Sequence, residues 1–181
     1  MDRFLAWLLF AVVLAMGAIL AVLGLTEAPH NAAGLAHGAI SGMRAGGDGA
    51  GRLAEIGPAA FAFNCLLLLF TVLLCVLGVS PAKRTPVFLG WMILVYAANL
   101  IVWWQMWLGH QAFLATGETG WFLGFPTATA WQVYGVWFAG VVLVAVYSAG
   151  FRHYILSEDD ERRFEQLVRE MENDKAPENP A

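Results

Sequence analysis

Three histidines are the side chains in this sequence best placed to bind haem, because a neutral imidazole nitrogen is a strong axial ligand. His30 and His37 lie in a polar segment after the first apolar run, and His110 follows the third run. If the apolar runs cross a membrane, these three share one side, whereas His153 falls on the other. His110 with His37 or His30 is therefore the possible haem pair, and none of the three lies within an apolar run.

The apolar runs themselves lack the side chains that usually carry catalysis. No Asp, Glu, Lys, Arg or His occurs in the four longest runs, which are residues 4–25, 58–79, 87–108 and 126–150. Ionisable groups are costly inside a membrane and are generally retained there for ligands, ions or protons. We therefore expect no catalytic residue, no metal site and no cofactor, and we expect that the protein is not an enzyme.

The composition is typical of an integral membrane protein. Hydrophobic residues make up 59% of the 181 residues and charged residues only 13%, whereas charged residues are about a quarter of a soluble domain. Each run has about the 20 residues needed to cross a hydrocarbon core of about 30 Å. The sequence predicts an all-α integral membrane protein with four transmembrane helices in residues 1–156. Without a basic patch, nothing indicates nucleic-acid binding.

Residues at the ends of the runs predict how the spans begin and end. The first run is longer than the 7–15 apolar residues of a typical signal peptide, so a retained anchor is favoured over a cleaved signal. Pro58 suits the first turn of the second span, where its missing N–H does no harm. The polar turn at residues 80–84 predicts that the third span returns antiparallel beside the second.

The segments between spans are predicted to be loops on one side of the membrane. Residues 26–57 are expected to form a flexible loop with a short helix around residues 32–43, and residues 109–125 a second loop. Of the ten lysines and arginines, all except Arg44 and Arg52 fall on the side of the N-terminus. The positive-inside rule then predicts that both termini lie in the cytoplasm.

Aromatic residues cluster at the outer ends of the third and fourth spans. The partner-contact candidates in this cluster, with the adjoining proline and glutamine, are Trp103, Trp104, Trp107, Trp121, Phe125, Pro126, Trp131 and Gln132. Tryptophan favours the membrane interface, so an interfacial belt explains part of the pattern. Tryptophan also dominates binding hot spots, and its density here favours a docking surface.

Small residues in the same two spans would permit close helix contacts. Ala97 and Ala98 lie in the third span, and Gly135, Ala139 and Gly140 lie in the fourth. Small side chains let helix backbones approach each other in a membrane. Packing within the four-helix bundle and packing against a partner helix explain them equally well.

The segment after the fourth span is predicted to form a cytosolic amphipathic helix over residues 157–173. Ser157 and Asp160 resemble a capping box. Four apolar residues recur at helical spacing on one face, namely Phe164, Leu167, Val168 and Met171. Because the polar face is net acidic, a protein surface is a better partner for this stripe than anionic lipid. Residues 174–181 contain two prolines and are predicted to be disordered.

Residues from about 91 to 152 resemble the small membrane subunits that accompany sodium:solute symporters in bacteria. The resemblance follows a Trp-rich helix and a short loop, and its positions are Gly124, Phe125, Pro126, Trp131, Gln132 and Tyr147. It implies an accessory role in solute uptake, with these positions forming a structural turn and a partner face. The chain departs from that family in having four apparent spans where two are typical.

The residues and the resemblance together predict a non-catalytic accessory subunit of an inner-membrane complex. Its expected partners are the lipid bilayer and a larger membrane protein, either a permease of the secondary-transporter class or a respiratory complex. Two alternatives stay open. One is a haem-binding membrane cytochrome, and the other is a self-associating membrane scaffold.

Overall fold

A computed structural model of the protein describes residues 2–27, 34–47 and 49–175. Within this part of the chain, four helical segments are long and apolar enough to cross a membrane: Arg3–Leu25, Leu53–Leu77, Pro86–Thr116 and Thr127–Ile155. Few of their side chains are fully buried, as expected for helices whose surroundings are hydrocarbon rather than water. The predicted architecture of four long apolar helices is confirmed.

The elements follow in chain order. The first half contains α1 (Asp2–Leu25), a hairpin of β1 (Leu35–Ala36) and β2 (Arg44–Ala45), α2 (Gly49–Leu77) and a 3₁₀ turn (Pro81–Lys83). The second half begins with α3 (Pro86–Thr116) and a hairpin of β3 (Trp121–Phe122) and β4 (Phe125–Pro126). The fourth span then comprises α4 (Thr127–Ala130), a π-helical turn (Trp131–Gly135), α5 (Val136–Gly150) and a second π-helical turn (Phe151–Ile155). Helix α6 (Glu158–Lys175) follows it.

The helices form a bundle that is tightly packed at one end. Helix α1 packs on α2, α2 on α3, and α3 on the fourth span. One core joins the start of α1, the end of α2 and the start of α3, and its buried residues are Leu5, Val12, Leu73, Val76, Val79, Phe88, Met92 and Val95. The last turns of the fourth span cover this core. We call this region the closed end, and the opposite region, with both hairpins, the open end.

The turn between α2 and α3 is held by side chains that satisfy backbone groups at two helix termini. Arg84 is buried, and its guanidinium donates to the carbonyl oxygens of Val79 at 2.7 Å and Leu77 at 3.2 Å. Leu77 is the last residue of α2 and Val79 lies beyond it, so neither carbonyl has a partner within the helix. Thr85 accepts a hydrogen bond from the backbone N–H of Phe88 at 3.2 Å and thereby caps α3. The predicted polar turn is thus held by hydrogen bonds to both helices.

The first loop differs from its prediction. The expected short helix around residues 32–43 is wrong in the described part, where β1 pairs antiparallel with β2 and the His37 N–H donates to the Met43 carbonyl. Gly34 and Gly42 both have positive φ angles, which glycine adopts at little cost and which a helix does not use. A Cβ on Gly34 would stand 2.2 Å from the Ala45 carbonyl oxygen, so the hairpin requires glycine there.

Helix α2 begins nine residues before the predicted span 58–79, at Gly49, and ends at Leu77. Pro58 therefore lies inside the helix and not in its first turn. Proline is tolerated within membrane helices because neighbouring groups compensate for the lost hydrogen bond. Packing holds the added turns, since a Cβ on Gly57 would stand 3.2 Å from the Trp107 ring.

The later helices are also longer than predicted. Helix α3 continues past residue 108 to Thr116, where Gly117 ends it in the left-handed conformation with φ 70°, a common helix terminator. The fourth span begins at Thr127 and its helical backbone runs past residue 150 to Ile155, and α6 extends to Lys175. Residues 174 and 175, predicted to be disordered, are therefore helical, and residues 176–181 lie outside the described residues.

Candidate binding surfaces at the open end

The β3–β4 hairpin is fixed to the start of the fourth span by Tyr134. The Tyr134 hydroxyl donates to the Leu123 carbonyl at 3.2 Å, and its ring meets Phe122 and Phe125 edge-on at 6.0 Å each. Leu123 and Gly124 occupy the two turn positions with φ angles of 47° and 85°. Two-residue hairpin turns favour positive φ, but a leucine there carries backbone strain. The aromatic contacts hold this strained turn over the fourth span.

A groove of about 690 Å³ runs between α3 and the fourth span beneath this hairpin. Small residues form much of its floor, namely Ala98, Ala130, Gly135 and Ala139, and Trp131 and Tyr134 also line it. Its rim is aromatic, since Phe122 and Phe138 line it while remaining 59% and 74% exposed. A groove with a small-residue floor admits the backbone of another helix at close range.

The π-helical turn at the base of the groove depends on a glycine. A Cβ on Gly135 would stand 2.8 Å from a Val102 methyl and 2.9 Å from the Trp131 ring. The same arrangement recurs in the second π-helical turn, where a Cβ on Gly150 would stand 2.5 Å from the Tyr154 ring. In each case an aromatic side chain four residues away lies over the glycine, and π turns are frequent at functional sites.

A second cavity of about 410 Å³ lies between α2, α3 and α4. Two of the predicted contact tryptophans line it and pack on Phe61: the Trp103 ring stacks at 5.9 Å and the Trp107 ring lies at 5.1 Å. Trp103 also donates its indole N–H to the Phe61 carbonyl at 3.3 Å. Gln132 lines the same cavity from the fourth span. Trp103 and Trp107 therefore make contacts within the bundle, whereas Gln132 stays exposed.

The remaining aromatic candidates differ in how accessible they are. Trp104 touches Phe61 at 5.7 Å and is half-exposed on the surface of α3. Trp121 is 72% exposed on the hairpin, Phe125 is partly covered by Tyr134, and Pro126 is half-buried. The outer aromatic cluster of the sequence is thus divided between an exposed hairpin, the groove and the second cavity.

The haem candidates occupy different environments. His37 is exposed, and its Nδ1 accepts hydrogen bonds from the N–H groups of Ala39 and Ile40, both at 3.2 Å. His110 lines the second cavity, and its buried Nε2 has no hydrogen-bond partner among the described residues. His30 lies outside the described residues. An Nδ1 that accepts places the ring proton on Nε2, so His37 in this conformation offers no lone pair to a haem iron.

Within residues 2–27, 34–47 and 49–175, no three His, Cys, Asp or Glu side chains come together in a way that could hold a metal ion.

Helix α6 begins at the closed end with the predicted capping box. The Ser157 N–H donates to the Asp160 carboxylate at 3.1 Å, and the Asp160 N–H donates to the Ser157 hydroxyl at 3.4 Å. Lys83 in the α2–α3 turn forms an ion pair with Asp160, and Arg152 pairs with Glu161 at 2.6 Å. The hydrogen bond from Lys83, with those from Ser157, holds the pKa of Asp160 well below its usual range. The helix is thus anchored at its N-terminus.

The apolar stripe of α6 remains uncovered. Phe164, Leu167 and Met171 are all more than half exposed, and Val168 is half-buried. Charged residues occupy most of the remaining positions of the helix. The stripe is therefore accessible at the surface, and its role as a partner contact stays a prediction.

Several residues that build these surfaces carried no distinguishing signal in the sequence. Phe61 is one of several phenylalanines in α2, and only the packing of α3 reveals that it receives three indole rings. Tyr147, one of the positions of the resemblance, donates its hydroxyl to the Cys75 carbonyl on α2 at 2.6 Å. Lys83 and Asp160 are separated by most of the second half of the chain, so their pairing required the fold.

Comparison of the chain with protein-family models, curated proteins and solved structures gives no match.

Proposed function

We propose that this protein is a non-catalytic accessory subunit of a bacterial inner-membrane complex, and that its partner is a secondary solute transporter. In this proposal both termini lie in the cytoplasm and the open end faces outward. A transmembrane helix of the transporter occupies the groove between α3 and the fourth span. The hairpin with Trp121 lies over the same contact.

The observation that carries the proposal is the groove with its small-residue floor. Apolar exposure alone does not indicate a partner here, because lipid satisfies any apolar surface in a membrane. Helices associate in lipid by close packing and not by the hydrophobic effect, and close packing needs small residues at the contact. Ala98 and Ala139 line a groove of about 690 Å³ that the bundle leaves open, and Gly135 beside them lets Val102 and Trp131 pack closely at its base.

The orientation is supported by the positions of the basic residues. The start of α1, the α2–α3 turn and α6 lie together at the closed end, because Leu5 shares a core with Phe88 and Lys83 pairs with Asp160. Lys83, Arg84 and Arg152 belong to this end. The positive-inside rule assigns such an end to the cytoplasm.

The proposal is tested by filling the groove. Ala98→Trp places an indole on the groove floor, whereas Val144→Trp adds the same side chain to an exposed position of α5 outside the groove. Each protein is purified in a gentle detergent and weighed by native mass spectrometry. We expect wild type and Val144→Trp to carry one stoichiometric polytopic transport protein, and Ala98→Trp to lose it.

Three results would contradict the proposal. Wild type could emerge as a monomer, both variants could retain the partner, or the only complex could contain further copies of this chain. The last result would support a self-associating scaffold instead.

A further inference from the structure

The second cavity contains an unsatisfied polar atom. Nε2 of His110 is buried and receives no hydrogen bond from any described residue. A buried polar atom without a partner costs about 1–3 kcal/mol, and such an atom in a native fold calls for a specific explanation. His110 lines the cavity of about 410 Å³ between α2, α3 and α4, so a group bound there could supply the missing partner after a small rotation of the ring.

The walls of the cavity suit a flat ring. Phe61 and Trp103 lie nearly parallel, with 11° between their planes, and Trp107 is tilted against Phe61 by 45°. Aromatic walls favour stacked or edge-on contacts with another aromatic ring. The volume lies within the range of about 300–1,000 Å³ usual for small-molecule sites.

The polar groups of the cavity suit a neutral hydroxyl. Apart from His110, the described lining residues that carry polar side-chain groups include Thr129 and Gln132, and no Asp, Glu, Lys or Arg is among them. A charged ligand would find no counter-charge among these residues. A hydroxyl both donates and accepts, so it can bond to Nε2 of His110 in either ring tautomer.

The position of the cavity suits an amphiphile. Helix α3 has 31 residues, which at about 1.5 Å per residue exceeds a hydrocarbon core of about 30 Å. His110 lies in its last two turns, so the cavity is near the membrane–water boundary if α3 spans the bilayer. An amphiphile with a hydroxyl-bearing aromatic ring and an apolar tail could enter the cavity from that boundary.

We propose that this cavity binds the neutral phenolic headgroup of a membrane-soluble amphiphile, with the ring packed against the aromatic wall of Phe61, Trp103 and Trp107 and the hydroxyl bonded to Nε2 of His110. The site is independent of the accessory function, because the cavity shares no lining residue with the groove.

A matched pair of ligands tests the hydroxyl directly. The full chain is placed in nanodiscs and titrated with 4-decylphenol or with 4-decylanisole, whose ring and tail are the same but whose hydroxyl is methylated. Binding is measured by calorimetry after subtraction of the heats from empty nanodiscs. We expect the phenol to bind about tenfold more tightly, the effect of one hydrogen bond to a buried group.

Three variants locate the site. His110→Phe keeps a ring but removes both nitrogens, and should reduce phenol affinity to that of the anisole while leaving anisole binding unchanged. Ala60→Phe fills the cavity, which Ala60 lines, and should abolish binding of both. His37→Phe removes an imidazole that lies outside the cavity lining and should change neither.

The wild-type comparison alone can overturn the proposal. Equal affinities for phenol and anisole would remove the role of the hydroxyl, and no binding above empty nanodiscs would mean that the cavity holds only water. Retention of the phenol preference in a folded His110→Phe variant would place the hydroxyl elsewhere. Intact anisole binding by that variant shows that it is folded.

Discussion

The two ends of the bundle solve the problem of packing in a membrane differently. At the closed end, Phe88 and Met92 are 1% exposed and the Tyr147 hydroxyl reaches a backbone carbonyl on α2. At the open end, α3 and the fourth span enclose two cavities, and Nε2 of His110 lacks a partner among the described residues. The closed end is packed by the residues of the bundle, whereas the open end contains cavities that another group could fill.

This difference shows which observations indicate binding in a membrane protein. Exposed apolar side chains occur at both ends and along every span, and lipid satisfies all of them. Concave shape, small residues and an unsatisfied polar atom occur together only at the open end of the described chain. We therefore infer that stability resides mainly in the closed end and binding in the open end.

The largest expected effect compares one residue type at the two ends. Phe88→Ala removes a fully buried ring from the closed core and should lower the free energy of unfolding by about 3–5 kcal/mol. Phe138→Ala removes a ring that is 74% exposed and should change it by less than about 0.5 kcal/mol. Reversible unfolding in mixed micelles, followed by circular dichroism, measures both. Similar losses from the two variants would break the distinction between the ends.

The second comparison uses three glycines of the fourth span. Gly150→Ala would place a methyl group against the Tyr154 ring, which is itself packed on the buried Phe88 at 4.9 Å. Overpacking of this kind costs about 1–3 kcal/mol. Gly135→Ala would meet a Val102 methyl and the Trp131 ring. It should cost less, because both side chains border the open groove and can move into it.

Gly140→Ala is the control for this comparison. A Cβ there meets no atom within 4 Å, so the substitution should raise stability slightly through the higher helix propensity of alanine. The order of unfolding midpoints should be Gly140→Ala, then Gly135→Ala, then Gly150→Ala as the lowest. A Gly135→Ala variant less stable than Gly150→Ala would show that the open end is the more rigid one.

The sequence predicted the number and approximate position of the long helices because their signal is local. Twenty or more residues without a charge determine a span regardless of what packs beside it. The ends were less predictable, because they depend on tertiary contacts. The first turns of α2 are held by the packing of Trp107 against Gly57. The residue pattern within α2 does not show that a side chain of α3 will pack there.

The candidate site shows the same limit. Spacing alone placed Trp103 and Trp107 on one face of α3, and the structure brings both against Phe61. Spacing could not show that this face lines a cavity with His110 and Gln132. Likewise, the capping box at Ser157 was readable from neighbouring residues, whereas the Lys83–Asp160 pair depends on how the α2–α3 turn meets α6.

The smallest expected effect concerns that pair, which joins α6 to the closed end. The pKa of Asp160 is lowered from 3.8 mainly by the hydrogen bond from Lys83 and then by Ser157. A carboxyl with a lowered pKa in the folded state contributes stability above its unfolded pKa and loses it as the pH falls through the folded value. The anchor of α6 should therefore persist at pH 4 and weaken only in stronger acid.

Because Asp160 is exposed to solvent, we expect a change in the mobility of α6 and not in global unfolding. A spin label at Gln166→Cys, in a chain with Cys65 and Cys75 replaced by alanine, reports that mobility by electron paramagnetic resonance. Asp160→Asn should make the label more mobile at pH 7. Glu165→Gln, whose carboxylate lies 3.9 Å from Arg169 within the same helix, should not. If Asp160→Asn also left the label unchanged, contacts other than the Lys83–Asp160 ion pair would hold α6 at the closed end.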